Sequence, residues 1–496
     1  MDNGEISEST GPEGLLAETR AVRGAVASEG RDTFRRWRPT IRRRCFAVSG
    51  LNLAHYLALR HRDIRPLQRA LMRFGLSSLG RLEGRVLASL DSVSTALEGL
   101  SSRGENHLEF PSPRQFFRGE RRLEANTAEL FGPAASGRGG RILVTLPSEA
   151  AEDKQLTLGL LSRGVDAMRI NCAHDDPSRW AAMIEHARRA ERATGRPVKI
   201  LMDIAGPKCR TAEVVTPPDR KRLFPGDRLL LSRGRLHPVE AWPFQATCSL
   251  TQVIDRLAPG VRVFVDDGHF GGIVETLIDD GAVIRIEHAK LSGAKLKPEK
   301  GLNFPNVELG LSPLTGKDLA DLDFVAANAD LIGYSFVESA ADIRLLQDEL
   351  AKRRPDWTRI GLVAKIETPR AIRNLPELIV QAAGRQPFAA MIARGDLAIE
   401  IGFERLAEMQ EEMLWLCEAA HVPVIWATQV LESLIKTGIP SRGEMTDAAM
   451  AARAECVMLN KGPNIATAVE ALDGLMRRMA EHQFKKTPRL RALQSW

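Results

Sequence analysis

AAMIARGDLAIEIG, residues 389–402, is an apolar run that breaks off at Arg394, Gly395 and Asp396. A buried parallel strand that stops at a small residue followed by a carboxylate presents that carboxylate at its C-terminal end, where a parallel barrel keeps its chemistry. Asp396 is therefore a candidate metal ligand. Upstream, GLVAKIE places Lys365 and Glu367 at the end of a second apolar run. Alternation along a strand sends both to one side, so an ammonium and a carboxylate sit together. Two carboxylates and one ammonium suit a divalent metal beside a migrating phosphoryl group. Hard oxygen donors favour Mg2+ or Mn2+, and the ammonium can neutralise the equatorial oxygens. A buried Lys-Glu-Asp network that only shapes the strand ends is the alternative these two segments leave open.

Further runs extend the pattern in both directions. RILVTL from 141, DAMRIN from 166, VKILMDI from 198, DLIGYSF from 330, PVIWATQ from 423 and AECVMLNK from 454 are strand-like, and amphipathic helical stretches separate them. With the two runs above they make eight, which predicts a (β/α)8 TIM barrel over 138–211 and 301–482. The one irregular spacing lies between the third and fourth strands. There, 212–300 is rich in Gly, Pro and short alternating strands such as VRVFVDDG and GAVIRIEH. That composition predicts a small inserted β domain. Residues 15–131 show apolar positions at three- and four-residue spacing, with Gly75 and Ser77-Ser78 as a helix stop and a new N-cap. Two or three antiparallel helices in an all-α N-terminal domain are expected. Residues 1–14 are expected to be unstructured, 132–140 to be a linker and 483–496 to be a tail.

A chain of 496 residues with 44% apolar content can bury several cores. No run approaches the ~18 apolar residues of a membrane span. The acidic, polar N-terminus lacks the apolar core of a secretory signal. A cytoplasmic location with no membrane partner is expected. The six cysteines, Cys45, Cys172, Cys209, Cys248, Cys417 and Cys456, contain no C-x-x-C pair, which argues against a disulfide framework or structural zinc. Cys172 and Cys209 fall in site segments and could be oxidation-sensitive, with buried inert thiols as the preferred reading. Six arginines between Arg35 and Arg44 could touch nucleic acid or anionic lipid. A solvated or subunit-facing helix surface is the preferred reading, and no nucleic-acid partner is expected.

DAMRINCAHDD (166–176), VKILMDIAGPKCRT (198–211) and PVIWATQVLESLIKTGIPSRGEMTD (423–447), read in order with KIE and IARGD, resemble the active-site strands of pyruvate kinases. The likeness runs from about 140 to 482, and several ordered multi-residue motifs make it specific. It implies that the inserted β domain, a small β barrel, closes over a nucleotide as a lid, with VDDGHFGG (265–272) as its turn and KGLNFP (300–305) as its return hinge. It implies that Arg169 and Arg210 hold phosphate, a match for planar guanidinium groups. Lys365 would stabilise the phosphoryl group and the enolate. Glu367 and Asp396 would hold the metal. Backbone N–H groups at Gly395 and Asp396 would bind the substrate carboxylate, with Thr428 contacting it and serving the proton-delivery network. A helix-capping role is the alternative for Thr428. His174, Arg210 and Lys300 would lie near the nucleotide, although His174 and Lys300 could be ordinary surface. Asn171 and Asp203 would shape a monovalent-cation region.

The chain also departs from that family. Ala173 stands where the family usually has a serine ligand of the monovalent cation, Ile204 where Thr is common, and Lys208 where potassium-requiring members usually have Glu. An ammonium can replace a bound K+ electrostatically, so Lys208 as an internal cation predicts that K+ is not required. TLPSEA (145–150) and MLNKGP (458–463) also differ from the family's loops after the first and last strands. After the eighth strand only one helix and a basic tail remain, which leads to the expectation that the family's C-terminal regulatory domain and its sugar-phosphate control are missing. The N-terminal helices could then support assembly, and a homo-oligomer is expected. The resemblance implies Mg2+-assisted phosphoryl transfer from phosphoenolpyruvate to ADP, giving pyruvate and ATP. The competing reading is a catalytically weak phosphoenolpyruvate- or nucleotide-binding regulator, which Ala173 and Asn460 favour. A barrel lyase or aldolase is disfavoured by the lid.

Overall fold

The computed structural model describes residues 11–101, 109–234, 236–238, 240–305 and 307–489. Eight parallel strands close into a barrel: β1 (Arg141–Thr145), β2 (Ala167–Asn171), β3 (Lys199–Ile204), β4 (Leu331–Tyr334), β5 (Gly361–Ile366), β6 (Phe388–Ala393), β7 (Val424–Ala427) and β8 (Cys456–Leu459). Each is the core of one of the eight apolar runs. Every residue of β1, β4, β6, β7 and β8 is buried, as strands packed on both faces require. Helices fill the connections, and side-chain caps at Asp176, Thr315, Ser339 and Ser441 satisfy the first N–H groups of four of them.

Register carries the site residues to one end. Thr145 pairs with Arg169, Asn171 with Asp203, and Asp203 with Gly333, so β1 to β4 deliver adjacent polar side chains at their C-terminal ends. A Cβ on Gly333 would stand 2.6 Å from Asp203 Oδ1. The buried carboxylate therefore needs a glycine beside it.

The opposite end of the barrel is plugged. Helices α1 (Pro12–Trp37), α2 (Arg44–Arg60), α3 (Arg65–Met72), α4 (Val86–Leu100), α5 (Pro113–Phe116) and α6 (Arg118–Phe131) precede β1. Leu130 and Phe131, at the end of α6, pack with the inward residues Leu143, Leu201, Leu331 and Val363 at the bottom of the barrel. The N-terminal region is helical as expected, but six α-helices among the described residues replace two or three. A new α-helix starts at Val86, not at Ser78, because Ser77 supplies no cap and Ser78–Arg81 is only a 3-10 turn. Helix α1 also begins at Pro12, inside the stretch expected to be unstructured; residues 1–10 lie outside the described residues. Pro suits a first helical turn, and the buried Leu15 and Leu16 anchor it. The arginine-rich stretch is partly absorbed into the fold. Arg43 pairs with Glu129, Arg35 with Asp32, and Arg38 Nη1 donates to the Ile41 carbonyl.

Between β3 and β4 the insertion forms one seven-stranded sheet. Its edge segments Thr211–Val215 and Leu302–Asn303 meet where Arg210 and Gly301 bridge, so the sheet curls back on itself at the hinge. The sheet takes in Thr211 and Leu302–Asn303, a few residues beyond 212–300, because both hinge limbs pair with lid strands. Residues 483–489 are not a free tail. Gln483–Phe484 and Thr487–Pro488 form a short hairpin, with Lys485 paired to Glu455 and Lys486 to Glu83. Residues 490–496 lie outside the described residues.

Candidate active site

Asp203 is 1% exposed, yet it faces two cations. Arg169 donates to its Oδ2 from Nε at 2.8 Å and Nη2 at 2.5 Å, and Lys365 Nζ lies 3.7 Å from the same oxygen. Burial alone would raise the Asp203 pKa, but Lys365 and Arg169 outweigh it and hold the carboxyl below its ordinary value. Asp203 Oδ1 has no hydrogen-bond partner. Lys365 is also 3.0 Å from Glu367 Oε1 and donates to Ser335 Oγ at 2.9 Å. Burial opposes its charge, but Asp203 and Glu367 overcome it, so the ammonium stays protonated. Glu367 Oε2 accepts the Phe336 N–H at 2.7 Å. Burial raises the Glu367 pKa, against the pull of Lys365, and nearby Asp396 adds to the rise.

Asp396 sits in the first turn of the helix Arg394–Ile401, which follows β6. Lys208 Nζ donates to both of its oxygens, at 2.9 and 3.1 Å, and Asn303 Nδ2 reaches Oδ1 at 3.3 Å. Burial works to raise the Asp396 pKa, and the Lys208 ammonium more than reverses it. The second oxygen reached by Asn303 Nδ2 belongs to Glu400, whose carboxyl burial pushes up to about 7. Lys208 therefore departs from its expected place. Its ammonium sits on Asp396 and not in the corner formed by Asn171 and Asp203. The physical reason is that Arg169 and Lys365 already compensate Asp203, whereas Asp396 needs a cation.

Two adjoining lobes of about 310 and 440 Å3 open beside these groups, and the larger reaches Asp266, Asp267 and Glu299 of the inserted sheet. Arg169, Asn171, Lys208, Arg210, Lys365, Glu367 and Asp396 line both; Asp203 lines the first, and His174, Lys300 and Thr428 the second. Asn171 Oδ1 accepts the Ala173 N–H at 3.1 Å, in a local turn. Arg210 Nη1 donates to the Glu299 carbonyl at 3.0 Å, and Lys300 pairs with Asp266 at 2.8 Å, so both are tied to the hinge and the lid turn. Burial, helped by the Lys461 charge, lowers the His174 pKa and favours a neutral imidazole. Gly395 does not line either lobe; it stands beside Thr428 behind Asp396.

Thr428 follows β7 with φ +64°, an uncommon conformation for a β-branched residue. Its Oγ1 donates to the Ala427 carbonyl at 2.7 Å. Arg394 holds this turn in place: Nε donates to the Ala427 carbonyl, Nη2 to the Thr428 carbonyl, and the guanidinium pairs with Asp447 while lying over the Trp426 ring. Arg394, Ser335 and Asp447 lie in the quoted strand-end segments, but the sequence assigns them no role. Ser335 carries a usable signal, since it directly follows the barrel strand Leu331–Tyr334. The link of Arg394 to Asp447 crosses 53 residues and had none.

No cluster of three or more His, Cys, Asp or Glu side chains arranged for a metal occurs among the described residues. Glu367 and Asp396 nevertheless supply hard oxygen donors on one cavity wall, and the orphaned Asp203 Oδ1 adds unmet acceptor capacity nearby. That donor set fits a hard divalent cation completing its shell with substrate and water, as Mg2+ does.

A closed parallel barrel with a charged pocket at its C-terminal face and a seven-stranded sheet inserted after β3 defines a (β/α)8 barrel protein with an inserted β domain. A family model described as "Pyruvate kinase, barrel domain" matches residues 138–466, and the chain belongs to the pyruvate kinase family. It is 32% identical to a pyruvate kinase of Mycobacterium intracellulare over 65% of this chain and 65% of that protein. Against a pyruvate kinase of Hypocrea jecorina the identity is 32%, covering 68% of this chain and 60% of that one. A crystal structure of a pyruvate kinase from Cryptosporidium parvum superposes with a TM-score of 0.61 at 26% identity, covering 71% of this chain and 72% of that chain. The chain thus spans less than two thirds of the length of the two curated relatives. No described helix is long and apolar enough to cross a membrane.

Proposed function

We propose that the chain is a pyruvate kinase that moves the phosphoryl group of phosphoenolpyruvate to ADP without requiring K+. The observation that carries this reading is the charged row Arg169, Asp203, Lys365 and Glu367, set beside Asp396 under a lid. Arg169 and Lys365 face the cavity as fixed cations, suited to a phosphate and to the charge that develops as the P–O bond breaks. Glu367 and Asp396 would hold Mg2+ or Mn2+, which supplies Lewis-acid charge neutralisation at the substrate oxygens. The N–H groups opening the helix Arg394–Ile401 favour the substrate carboxylate, and Thr428 stands beside them. Arg210, Lys300 and His174 line the lid-side lobe, where ADP fits.

Independence from K+ rests on charge. Lys208 adds a permanent cation to the cavity, and the Asp203 carboxylate is already matched by Arg169 and Lys365. Coupled pyruvate formation with Mg2+, in Na+ and in K+ buffers, tests both parts. Equal, robust turnover is expected; a strong K+ requirement would refute the charge argument. One observation favours the regulatory alternative: the Lys208 ammonium occupies both Asp396 oxygens that a metal would use. Folded protein that binds phosphoenolpyruvate and turns over in neither buffer would support that reading.

A further inference from the structure

Cys209 and Cys248 are 39 residues apart in sequence, and their sulfurs are 3.1 Å apart. Cys209 lies on the outgoing limb of the lid hinge, between Lys208 and Arg210. Cys248 ends the lid strand Phe244–Cys248, whose antiparallel neighbour Thr211–Val215 continues directly from that limb. Thr211 pairs with Cys248, so Cys209 is the diagonal neighbour on the same face. The two backbones are pinned there: the Ser249 N–H donates to the Arg210 carbonyl at 2.8 Å, and the Arg210 N–H to Ser249 Oγ at 2.9 Å. All six cysteines are free thiols.

We propose that Cys209 and Cys248 form an oxidisable dithiol site, at which a peroxide-class two-electron oxidant closes a reversible disulfide between the lid hinge and the lid sheet. The two sulfurs share one S–H contact in which either can donate, so the geometry lets either be the one that attacks. Both residues are largely shielded, but Cys209 lines a cavity of about 310 Å3 between the returning hinge limb and the loops after β4 and β5. Hydrogen peroxide, close to water in size, fits that route. A thiolate of the pair attacks one peroxide oxygen, the O–O bond breaks, and hydroxide leaves to take up a proton as water. The resulting sulfenic acid is displaced by the second sulfur, its hydroxyl leaving as water while the S–S bond forms. The two thiols lose two electrons and two protons, and one peroxide becomes two waters. Closure from 3.1 Å to a bond of about 2.05 Å asks for an approach of roughly 1 Å. Lys208 and Arg210, which flank Cys209, would move with it.

The test is a thiol titration of the full-length protein, treated while folded with limited hydrogen peroxide and then denatured. Reactive thiols should fall from six to four, return to six with dithiothreitol, and map to one peptide pair joined through Cys209 and Cys248. Cys248→Ser should keep all five of its thiols under the same treatment. Six thiols surviving in the parent, or a loss that maps to other cysteines or to sulfinic acid, overturns the proposal. If Cys248→Ser does not fold, the peptide map of the parent decides alone. Neither readout depends on whether the chain turns over phosphoenolpyruvate.

Discussion

Replacing Lys365 with Met keeps the length of the side chain and removes its charge. The ammonium lies 3.0 Å from Glu367 and 3.7 Å from Asp203, both almost fully buried. At an effective dielectric constant of about 20, each contact is worth about 5 kcal/mol of gross attraction. Desolvation offsets much of that, and removing one partner of a buried pair costs about 3–5 kcal/mol net, because the remaining carboxylates are left uncompensated. The melting temperature should therefore fall by roughly 3–5 °C. Two buried carboxylates facing one cavity without Lys365 form a better trap for a divalent cation. Added Mg2+ should accordingly raise the melting temperature of the variant more than that of the parent. Turnover depends on charge that matters most as the phosphoryl group moves, and a loss of about 10³-fold or more is expected, about 4 kcal/mol of barrier. Coupled pyruvate formation and thermal melts with and without Mg2+ measure all three. Turnover within about tenfold of the parent would refute the role of Lys365, as would a variant that melts unchanged and gains nothing from Mg2+.

Thr428→Gly should separate stability from activity. A non-glycine residue at φ +64° costs about 1–2 kcal/mol, so the variant should melt at or above the parent temperature while turnover drops about 10²-fold. Retained turnover would show that the hydroxyl is dispensable. His421, buried between the N-terminal helices and the barrel, donates from Nε2 to the Gly84 carbonyl and accepts from the Ser49 hydroxyl at Nδ1, and burial lowers its pKa from 6.5 to about 4. The unfolded chain then holds more protons between those values, so this contribution is complete above pH 6.5 and is lost as pH falls towards 4, about 3 kcal/mol in all. Urea midpoints should fall across that window in the parent and less so in His421→Gln; parallel curves would contradict it. Phe131→Ala at the barrel bottom should cost about 3–5 kcal/mol in melts, with kcat unchanged at temperatures where the variant is folded. A drop in kcat there would mean that the plug reaches the site.

What the sequence made legible was periodic or terminal. Eight apolar runs gave eight barrel strands, because a parallel strand buried on both faces leaves little choice of residue. Lys365, Glu367 and Asp396 stood out because strand ends expose chemistry next to apolar runs. Pairings across long gaps did not show. Nothing in the local pattern sets Lys208 on Asp396, Arg394 on Asp447 or Cys209 against Cys248, since each depends on how two segments are juxtaposed by the closed barrel or the lid. The N-terminal helices were legible as helices but not in number. Their breaks come from 3-10 turns with no side-chain cap, which leave little trace in composition.

The hinge gathers several of these long-range contacts. Lys208 bonds Asp396 from the outgoing limb, and Asn303 bonds Asp396 and Glu400 from the returning limb. At the lid turn, Lys300 pairs with Asp266, and a Cβ on Gly268 would stand 2.6 Å from Ile399 of the helix that carries Asp396. The inserted sheet and Asp396 are therefore joined through both limbs of the hinge. A cation held by Asp396 would compete with Lys208 for the same oxygens and release that limb of the hinge. Metal binding at Asp396 should then shift that limb of the hinge, since a divalent ion and the Lys208 ammonium on one carboxylate repel each other.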